Sequence, residues 1–291
     1  MSQIPQILFH TQMPMNYPRL LVRNSDDFFP QVPDSHPWHI FCNAHNALFT
    51  QHLNVLPDWD MFQTSHPWAR FHAAARCVSG GPVYITDEPG KHDLGLIRQM
   101  TAQTCRGDTV ILRPSIVGKT TQAYVAYDEL ALLKVGTYNG MQATGTGILG
   151  VFNATQSHLT ELISLSAIPG TENGSFVMRA FNKGVVSEPV AKDDASSMVY
   201  LDLPIQGWEI LTAYPVHHME LKRKHHRKSS KDVTVAILGL LDKMTGSVAI
   251  ENTQIYVEDS GRLRVWTALK ALGIFGKLVY TPFFFLFPWK G

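Results

Sequence analysis

Carboxylates follow each of three short apolar runs in the first third of the sequence. They are Asp26 and Asp27, then Asp58 and Asp60, and last Asp87. Carboxylates can act as general acid, general base or nucleophile, and they accept hydrogen bonds from hydroxyl groups. Aromatic side chains lie between them, namely Phe28, Phe29, Trp38, Trp59 and Tyr84. Because an aromatic face covers the apolar side of a sugar ring, this combination of residue types suits a sugar-binding site.

A structural role is the alternative for each aspartate taken singly. Asp is common at helix N-caps and in turns, where its side chain accepts hydrogen bonds from nearby backbone N–H groups. The five aspartates together indicate a site more strongly than any one of them does.

The elements that must position these carboxylates alternate between helix-like and strand-like segments. Apolar residues at helical spacing predict a helix over 39–53, and Ser65 with Pro67 predicts the start of a second over 69–78. A third helix-like run covers 93–102. Strands and helices that alternate with short connections indicate parallel strands covered by helices. In an α/β barrel the carboxyl ends of the strands carry the active site, which is where the aspartates fall.

The pattern changes after Arg113, where short β-type runs are separated by Gly, Asn, Asp and Ser. This spacing predicts an antiparallel β-sandwich. The expected fold class is α/β plus all-β: the last strands of a (β/α)8 TIM barrel over 1–113, then a β-sandwich over 114–276. Residues 277–291 form an unassigned apolar tail, which is too short to span a bilayer of roughly 30 Å.

The composition is typical of a soluble globular protein. The chain has 291 residues, of which 45% are hydrophobic and 17% charged, and its net charge is +1. This charge gives no indication of a nucleic-acid or membrane partner. The three cysteines show no Cys-x-x-Cys spacing, which favours reduced thiols. The N-terminus has neither a basic nor an apolar signal region, so we expect a cytoplasmic protein.

Three motif-like features are discounted. Residues 145–150 match G-x-G-x-x-G, but strand-like residues follow where a dinucleotide site needs a helix N-terminus. The 13 histidines show no metal-ligand spacing, so we expect no metal and no cofactor. Residues 222–231 contain six Lys and Arg. A solvated hairpin loop is the favoured interpretation of this run, and a polyanion-binding patch is the alternative.

A resemblance adds specificity to the aspartate pattern. Residues 18–29, Pro-Arg-Leu-Leu-Val-Arg-Asn-Ser-Asp-Asp-Phe-Phe, resemble the acid/base strand of the α-galactosidases and raffinose synthases of glycoside hydrolase clan D. In that clan an Arg precedes the acid/base Asp by four positions, as Arg23 precedes Asp27. Three further segments look like successive motifs of the raffinose synthase and seed imbibition protein branch: 56–63, 71–76 and 80–93. The resemblance covers about residues 1–276.

The resemblance implies a retaining mechanism, in which one carboxylate attacks the anomeric carbon. A second protonates the leaving oxygen and then activates the incoming acceptor. It implies that Asp27 is this acid/base and that Arg23 and Asp26 hold substrate. Substrate contacts are expected from Asp58, Trp59, Asp60 and Asp87, although Asp60 could equally be structural. The implied partners are an α-galactoside or galactinol and an acceptor sugar, without a cofactor.

One part of the family's pattern is missing. Its nucleophile lies in a Lys-x-Asp motif on an earlier strand, and no such triplet precedes Arg23. We therefore expect a C-terminal fragment that lacks about five of the eight barrel strands and has no glycosidase activity alone. Galactosyl transfer from galactinol to sucrose and hydrolysis of α-galactosides stay open, as does the oligomeric state. A catalytically dead carbohydrate-binding remnant is the alternative function.

Overall fold

The computed structural model describes residues 20–53, 55–140, 145–191, 194, 197–222 and 230–280. The described residues contain three α-helices, all in the first part of the chain: α1 Ser35–Thr50, α2 Ala69–Ser79 and α3 Leu94–Met100. Each corresponds to a predicted helix. α1 begins four residues earlier than predicted, because Pro37 lies in its first turn, where a missing backbone N–H breaks no helical hydrogen bond.

Two parallel strands precede α2. They are β1 Leu21–Arg23 and β2 Leu56–Asp58, and their register places Arg23 beside Asp58. A further parallel bridge joins Phe62 to Ile85. Since α1 connects β1 to β2, this is the strand–helix–strand unit that the sequence predicted for the end of a β/α barrel.

Helix α2 is buried on almost every side. Ten of its eleven residues are buried, and Arg70 is its exposed residue. The helix ends at Gly80, whose φ of 72° is the left-handed conformation that glycine adopts without strain. A Cβ at this position would lie 2.7 Å from the Ile116 carbonyl oxygen. A helix that is buried on almost every side lies at the centre of a fold, between layers, and α2 also buries the polar side chains of His72 and Arg76.

Among the described residues, fourteen further strands follow in chain order and pair antiparallel. They are β3 Thr101–Gln103, β4 Thr109–Ile111, β5 Lys119–Thr120, β6 Leu133–Asn139, β7 Thr146–Phe152, β8 Leu159–Ser164, β9 Ser175–Ala180, β10 Val190–Ala191, β11 Met198–Leu203, β12 Trp208–Lys222, β13 Ser230–Leu240, β14 Ile250–Val257, β15 Leu263–Leu269 and β16 Phe275–Tyr280.

The long strand β12 organises the second part of the chain. Its first half lies between β7 and β9, and its second half pairs with β13, which in turn pairs with β16. One face of this sheet packs on the two-stranded β8–β11 sheet through Leu149, Ile163 and Leu201. The opposite face of β6 and β7 packs on α2 in a core that includes Val78 and Ile148. The predicted sandwich is confirmed, and it shares a core with the α/β part.

The predicted boundary at residue 113 falls between β4 and β5 and stays a prediction. The predicted start of the tail at 277 needs correction, because Lys277, Leu278 and Val279 pair with β13 as part of β16. Residues 281–291 lie outside the described part of the chain. Among the described residues, no helix is long and apolar enough to cross a membrane.

Candidate active site

Arg23 gathers three of the predicted carboxylates at the end of β1. Its Nε lies 3.2 Å from Asp58 Oδ2, its Nη1 3.0 Å from Asp27 Oδ1 and its Nη2 3.0 Å from Asp60 Oδ1. The parallel register explains the contact with Asp58. Burial lowers the pKa of Arg23, but the hydrogen bond to Asp58 and the charge of Asp60 outweigh burial and raise it overall. Arg23 is therefore a fixed cation with the flat, forked geometry that carboxylates match.

Asp58 is held by protein groups on both oxygens. Oδ2 faces Arg23, while Oδ1 accepts hydrogen bonds from the Tyr84 hydroxyl at 2.5 Å and the Asp60 backbone N–H at 2.8 Å. Burial and this hydrogen bond raise the pKa of Tyr84 well above its usual value, so its hydroxyl remains a donor at neutral pH. The geometry makes Asp58 an anchor between Arg23, Tyr84 and its own loop.

Asp60 is a fully buried carboxylate in the left-handed backbone conformation, with φ 58°. Asp is among the few residues with a side chain that adopt this conformation. Its Oδ2 accepts a hydrogen bond from the Phe28 backbone N–H at 2.8 Å. This bond fixes the peptide that follows Asp27, so the geometry favours the structural alternative for Asp60.

Asp26 and Asp27 are the carboxylates of the group that reach solvent. The Asp27 side chain is 81% exposed and that of Asp26 is 54% exposed. Only Oδ1 of Asp27 has a hydrogen-bond partner among the described residues, and that partner is Arg23. Its Oδ2 is therefore open to a ligand, with the carboxylate anchored from one side.

Two predicted substrate contacts do not fit their positions. The Trp59 side chain is fully buried in the core shared with α2, so its ring has no face open to a sugar. Asp87 is also covered and accepts hydrogen bonds from the Thr64 backbone N–H and hydroxyl, both at 2.6 Å. Burial raises the pKa of Asp87, but its hydrogen bonds from Thr64, His92 and Ser65 hold the pKa below its usual value. Both residues stabilise the fold around the site.

The remaining aromatics take different positions. The Phe28 ring packs edge-on against three buried histidines, His36, His39 and His72. Phe29, two residues after Asp27 in the chain, is 48% exposed. The Trp38 ring is also partly exposed but packs on Tyr127 at 4.9 Å between ring centroids.

Sequence reasoning missed a buried cluster beneath these loops. Arg76 and His72 lie one turn apart on α2, and Arg76 Nη1 donates to His72 Nδ1 at 2.7 Å. His36 contacts His72 at 2.7 Å. Burial lowers the pKa of Arg76 to about 9 and that of His36 to about 4, so Arg76 is charged and His36 neutral at neutral pH. The i, i+4 spacing of His72 and Arg76 in segment 71–76 was the available indication.

A Lys-x-Asp triplet does occur downstream, at Lys91–Asp93. There the Asp93 side chain accepts a hydrogen bond from the Leu96 backbone N–H at 2.9 Å and caps α3. A second triplet, at 192–194, lies partly outside the described residues. The described site thus offers one anchored and open carboxylate, Asp27, which can bind hydroxyl groups and exchange a proton.

A family and several relatives match this chain. The family described as "Raffinose synthase or seed imbibition protein Sip1" matches residues 1–280. The chain is 31% identical over 293 residues to "Probable galactinol--sucrose galactosyltransferase 6" from Arabidopsis thaliana, covering 88% of this chain and 35% of the relative. It is 32% identical over 139 residues to "Stachyose synthase" from Pisum sativum, covering 45% and 16%. The chain thus spans about a third of the first relative's length.

Solved structures show weaker similarity. Alpha-galactosidase I from Mortierella vinacea matches with a TM-score of 0.45 and 13% identity, over 66% of this chain and 52% of the other. A GH27 β-L-arabinopyranosidase from Geobacillus stearothermophilus matches with a TM-score of 0.46 and 11% identity, over 66% and 44%.

Proposed function

The chain belongs to the raffinose synthase or seed imbibition protein family, and we propose that it carries the acid/base side of a site for retaining chemistry on α-galactosides. The observation that carries this proposal is the contact of Arg23 with Asp27 at 3.0 Å, with Asp27 open to solvent. It supports the acid/base role that the spacing of Arg23 and Asp27 implied.

In the proposed reaction Asp27 gives its proton to the leaving oxygen while the bond to the anomeric carbon breaks. Asp27 then takes a proton from the acceptor hydroxyl as the acceptor attacks the glycosyl intermediate. The free Oδ2 is the atom that exchanges the proton, since Oδ1 is held by Arg23. Asp26 is the second exposed carboxylate and accepts hydrogen bonds from sugar hydroxyl groups.

The attacking carboxylate is proposed to come from outside the described site. No Lys-x-Asp triplet precedes Arg23, and Asp58 and Asp60 are occupied by Arg23, Tyr84 and backbone N–H groups. A retaining reaction needs two carboxylates on opposite sides of the scissile bond. We therefore propose that the 291-residue chain alone does not turn over α-galactosides.

Galactinol is the proposed donor and sucrose the proposed acceptor, because a relative that matches 88% of this chain is named for that transfer. Hydrolysis shares the same intermediate and differs only in the use of water as acceptor. A product assay with and without sucrose separates the two outcomes.

A carbohydrate-binding remnant is the second candidate. The observation that favours it is an intact Arg23–Asp27 pair in a sequence with no Lys-x-Asp before it. Calorimetry of the 291-residue chain with galactose tests it: heat of binding supports a remnant that binds sugar, and its absence at millimolar galactose contradicts it.

The decisive experiment places residues 1–280 in the relative from Arabidopsis thaliana, where they replace the matching third of that protein. The chimera is assayed with galactinol and sucrose. We expect turnover, and we expect Asp27→Asn to abolish most of it. The matched control is Asp202→Asn, an exposed aspartate of β11 that lies outside the described site. An active chimera that keeps its rate in Asp27→Asn would overturn the acid/base assignment.

A further inference from the structure

Arg76 is a buried cation without a carboxylate in direct contact among the described residues. Its side chain is 1% exposed, and its donors are directed at one loop and one histidine. Nη2 donates to the Trp59 and Met61 carbonyls at 2.7 and 3.1 Å, Nε donates to the Asp60 carbonyl at 3.3 Å, and Nη1 donates to His72. A single guanidinium thus binds three consecutive carbonyls of the loop that carries Asp58 and Asp60.

The histidine side of Arg76 continues as a hydrogen-bond chain. Because a guanidinium only donates, His72 Nδ1 is an acceptor, and a neutral His72 then carries its proton on Nε2. That Nε2–H donates to His36 Nδ1 at 2.7 Å, so His36 also carries its proton on Nε2. The His36 Nε2–H donates to the Pro30 carbonyl at 3.2 Å. Every donor in the chain therefore points from Arg76 toward Pro30.

The two ends of this chain are the two loops that carry the exposed and the anchored carboxylates. Pro30 ends the segment after β1 that contains Asp26 and Asp27, and residues 59–61 follow β2 and Asp58. The Asp60 side chain also joins the two loops directly, because it accepts a hydrogen bond from the Phe28 backbone N–H. Both loops are thus tied to α2 and to each other.

We infer that Arg76 is a positioning residue, which through His72 and His36 holds both carboxylate loops in register so that Asp58 and Asp60 meet Arg23. The guanidinium suits this role because its donors diverge in a plane, whereas the three donors of a lysine diverge from one atom and cannot reach the same set. The left-handed conformation of Asp60 is the part of the loop that most needs such support.

This inference rests on the site of the proposed function, but its test needs neither sugar nor turnover. The positioning role of Arg76 and the proposed function can therefore fail independently of each other. The test is NMR of the 291-residue chain at neutral pH. Histidine is labelled with ¹⁵N to report its tautomer, and the hydroxyl proton of Tyr84 is observed directly. The variants are Arg76→Met and Arg76→Lys. The matched control is Arg70→Met, which removes the exposed arginine of the same helix.

In the wild type we expect His36 and His72 to be neutral, with the proton on Nε2. We also expect a protected hydroxyl proton on Tyr84, which donates to Asp58 at 2.5 Å. In both Arg76 variants His72 loses its single tautomer, because the donor to Nδ1 is gone or displaced. Exchange of the Tyr84 proton accelerates by about tenfold or more as the Asp58 loop shifts. Arg70→Met leaves both signatures unchanged.

Arg76→Lys decides the question if Arg76→Met does not fold. A folded Arg76 variant that keeps the wild-type His72 tautomer and Tyr84 protection, with only a lower melting temperature, would overturn the inference. Arg76 would then contribute to packing alone. A wild type in which His36 or His72 carries its proton on Nδ1 would also overturn it, since the chain of donors would not exist.

Discussion

The two regions of the molecule bury polar side chains in different ways. In the α/β region, polar side chains from different elements meet. Arg23 of β1 contacts carboxylates from the loops after β1 and β2, and Arg76 of α2 binds backbone carbonyls of the loop after β2. In the sandwich, the buried side chains of Asn153 and Glu209 bind mainly backbone groups, from more than one segment. Asn153 donates to the carbonyls of Ser157, Leu203 and Pro204, at 2.8, 3.0 and 3.1 Å.

Glu209 shows the sandwich pattern for a charged group. Its carboxylate accepts hydrogen bonds from the backbone N–H groups of Asn182, Lys183 and Ile210. Burial raises the pKa of Glu209 overall, although these bonds oppose the shift. Nothing in this arrangement is open to a ligand. A buried charged group alone therefore does not indicate a functional site, whereas several charged groups that meet at an exposed carboxylate do indicate one.

The largest effect on stability is expected from Arg23→Met. This change leaves Asp58 and the fully buried Asp60 without their cation, and we expect a loss of about 3 kcal/mol in the free energy of unfolding. The matched change in the sandwich is Lys134→Met, which unpairs one partly exposed carboxylate, Glu161. Urea denaturation of both variants measures the difference. Equal losses in the free energy of unfolding would show that the carboxylates around Arg23 depend on their cation no more than the single carboxylate of Glu161 does.

Acid is expected to destabilise the α/β region first. Burial lowers the folded-state pKa of His36 to about 4 and that of His39 to about 3, against 6.5 for an unperturbed histidine. The unfolded chain therefore binds more protons, so stability is complete above pH 6.5 and falls as the pH decreases toward these values.

The measurement for this expectation is urea denaturation between pH 7 and pH 5, before most carboxylates titrate. In His36→Gln the neutral side chain keeps a donor and an acceptor, so its loss over this range is expected to be smaller than in the wild type by about 2 kcal/mol. Parallel curves for the two proteins would contradict a neutral His36 in the fold.

Asn153→Ala tests the sandwich side of the comparison. Three carbonyls lose a donor, and we expect the free energy of unfolding to fall by about 2 kcal/mol. Since the part of the chain that the structure describes shows no contact between Asn153 and Arg23 or Asp27, galactosyl transfer by the chimera should keep its Michaelis constant. A changed Michaelis constant would mean that the two regions are coupled through their shared core.

The smallest effect is expected from shortening the basic run. β12 and β13 pair up to Lys222 and Ser230, so a short Gly-containing turn can replace residues 223–229, which lie outside the described part of the chain. We expect a change in stability within about 0.5 kcal/mol, measured by urea denaturation. A loss of several kcal/mol would show that the run packs against the sandwich.

Sequence reasoning predicted the helices, the parallel unit and the sandwich, because apolar periodicity and turn residues are local signals. It also predicted that Arg23 and Asp27 belong together, since their spacing matched a family motif. It assigned Trp59 and Asp87 to substrate, although the fold turns both inward. The direction of a side chain in a loop depends on tertiary contacts, and for Trp59 these contacts include the hydrogen bond from Arg76 to its carbonyl.

The acid/base role of Asp27 is best tested by galactosyl transfer in the chimera, compared between Asp27→Asn and Asp202→Asn. We expect an active chimera, a rate lower by a factor of roughly 10² to 10⁴ in Asp27→Asn, and an unchanged rate in Asp202→Asn. The melting temperature should be the same in all three proteins. An active chimera whose Asp27→Asn variant stays within threefold of its rate would contradict the claim that Asp27 exchanges the proton.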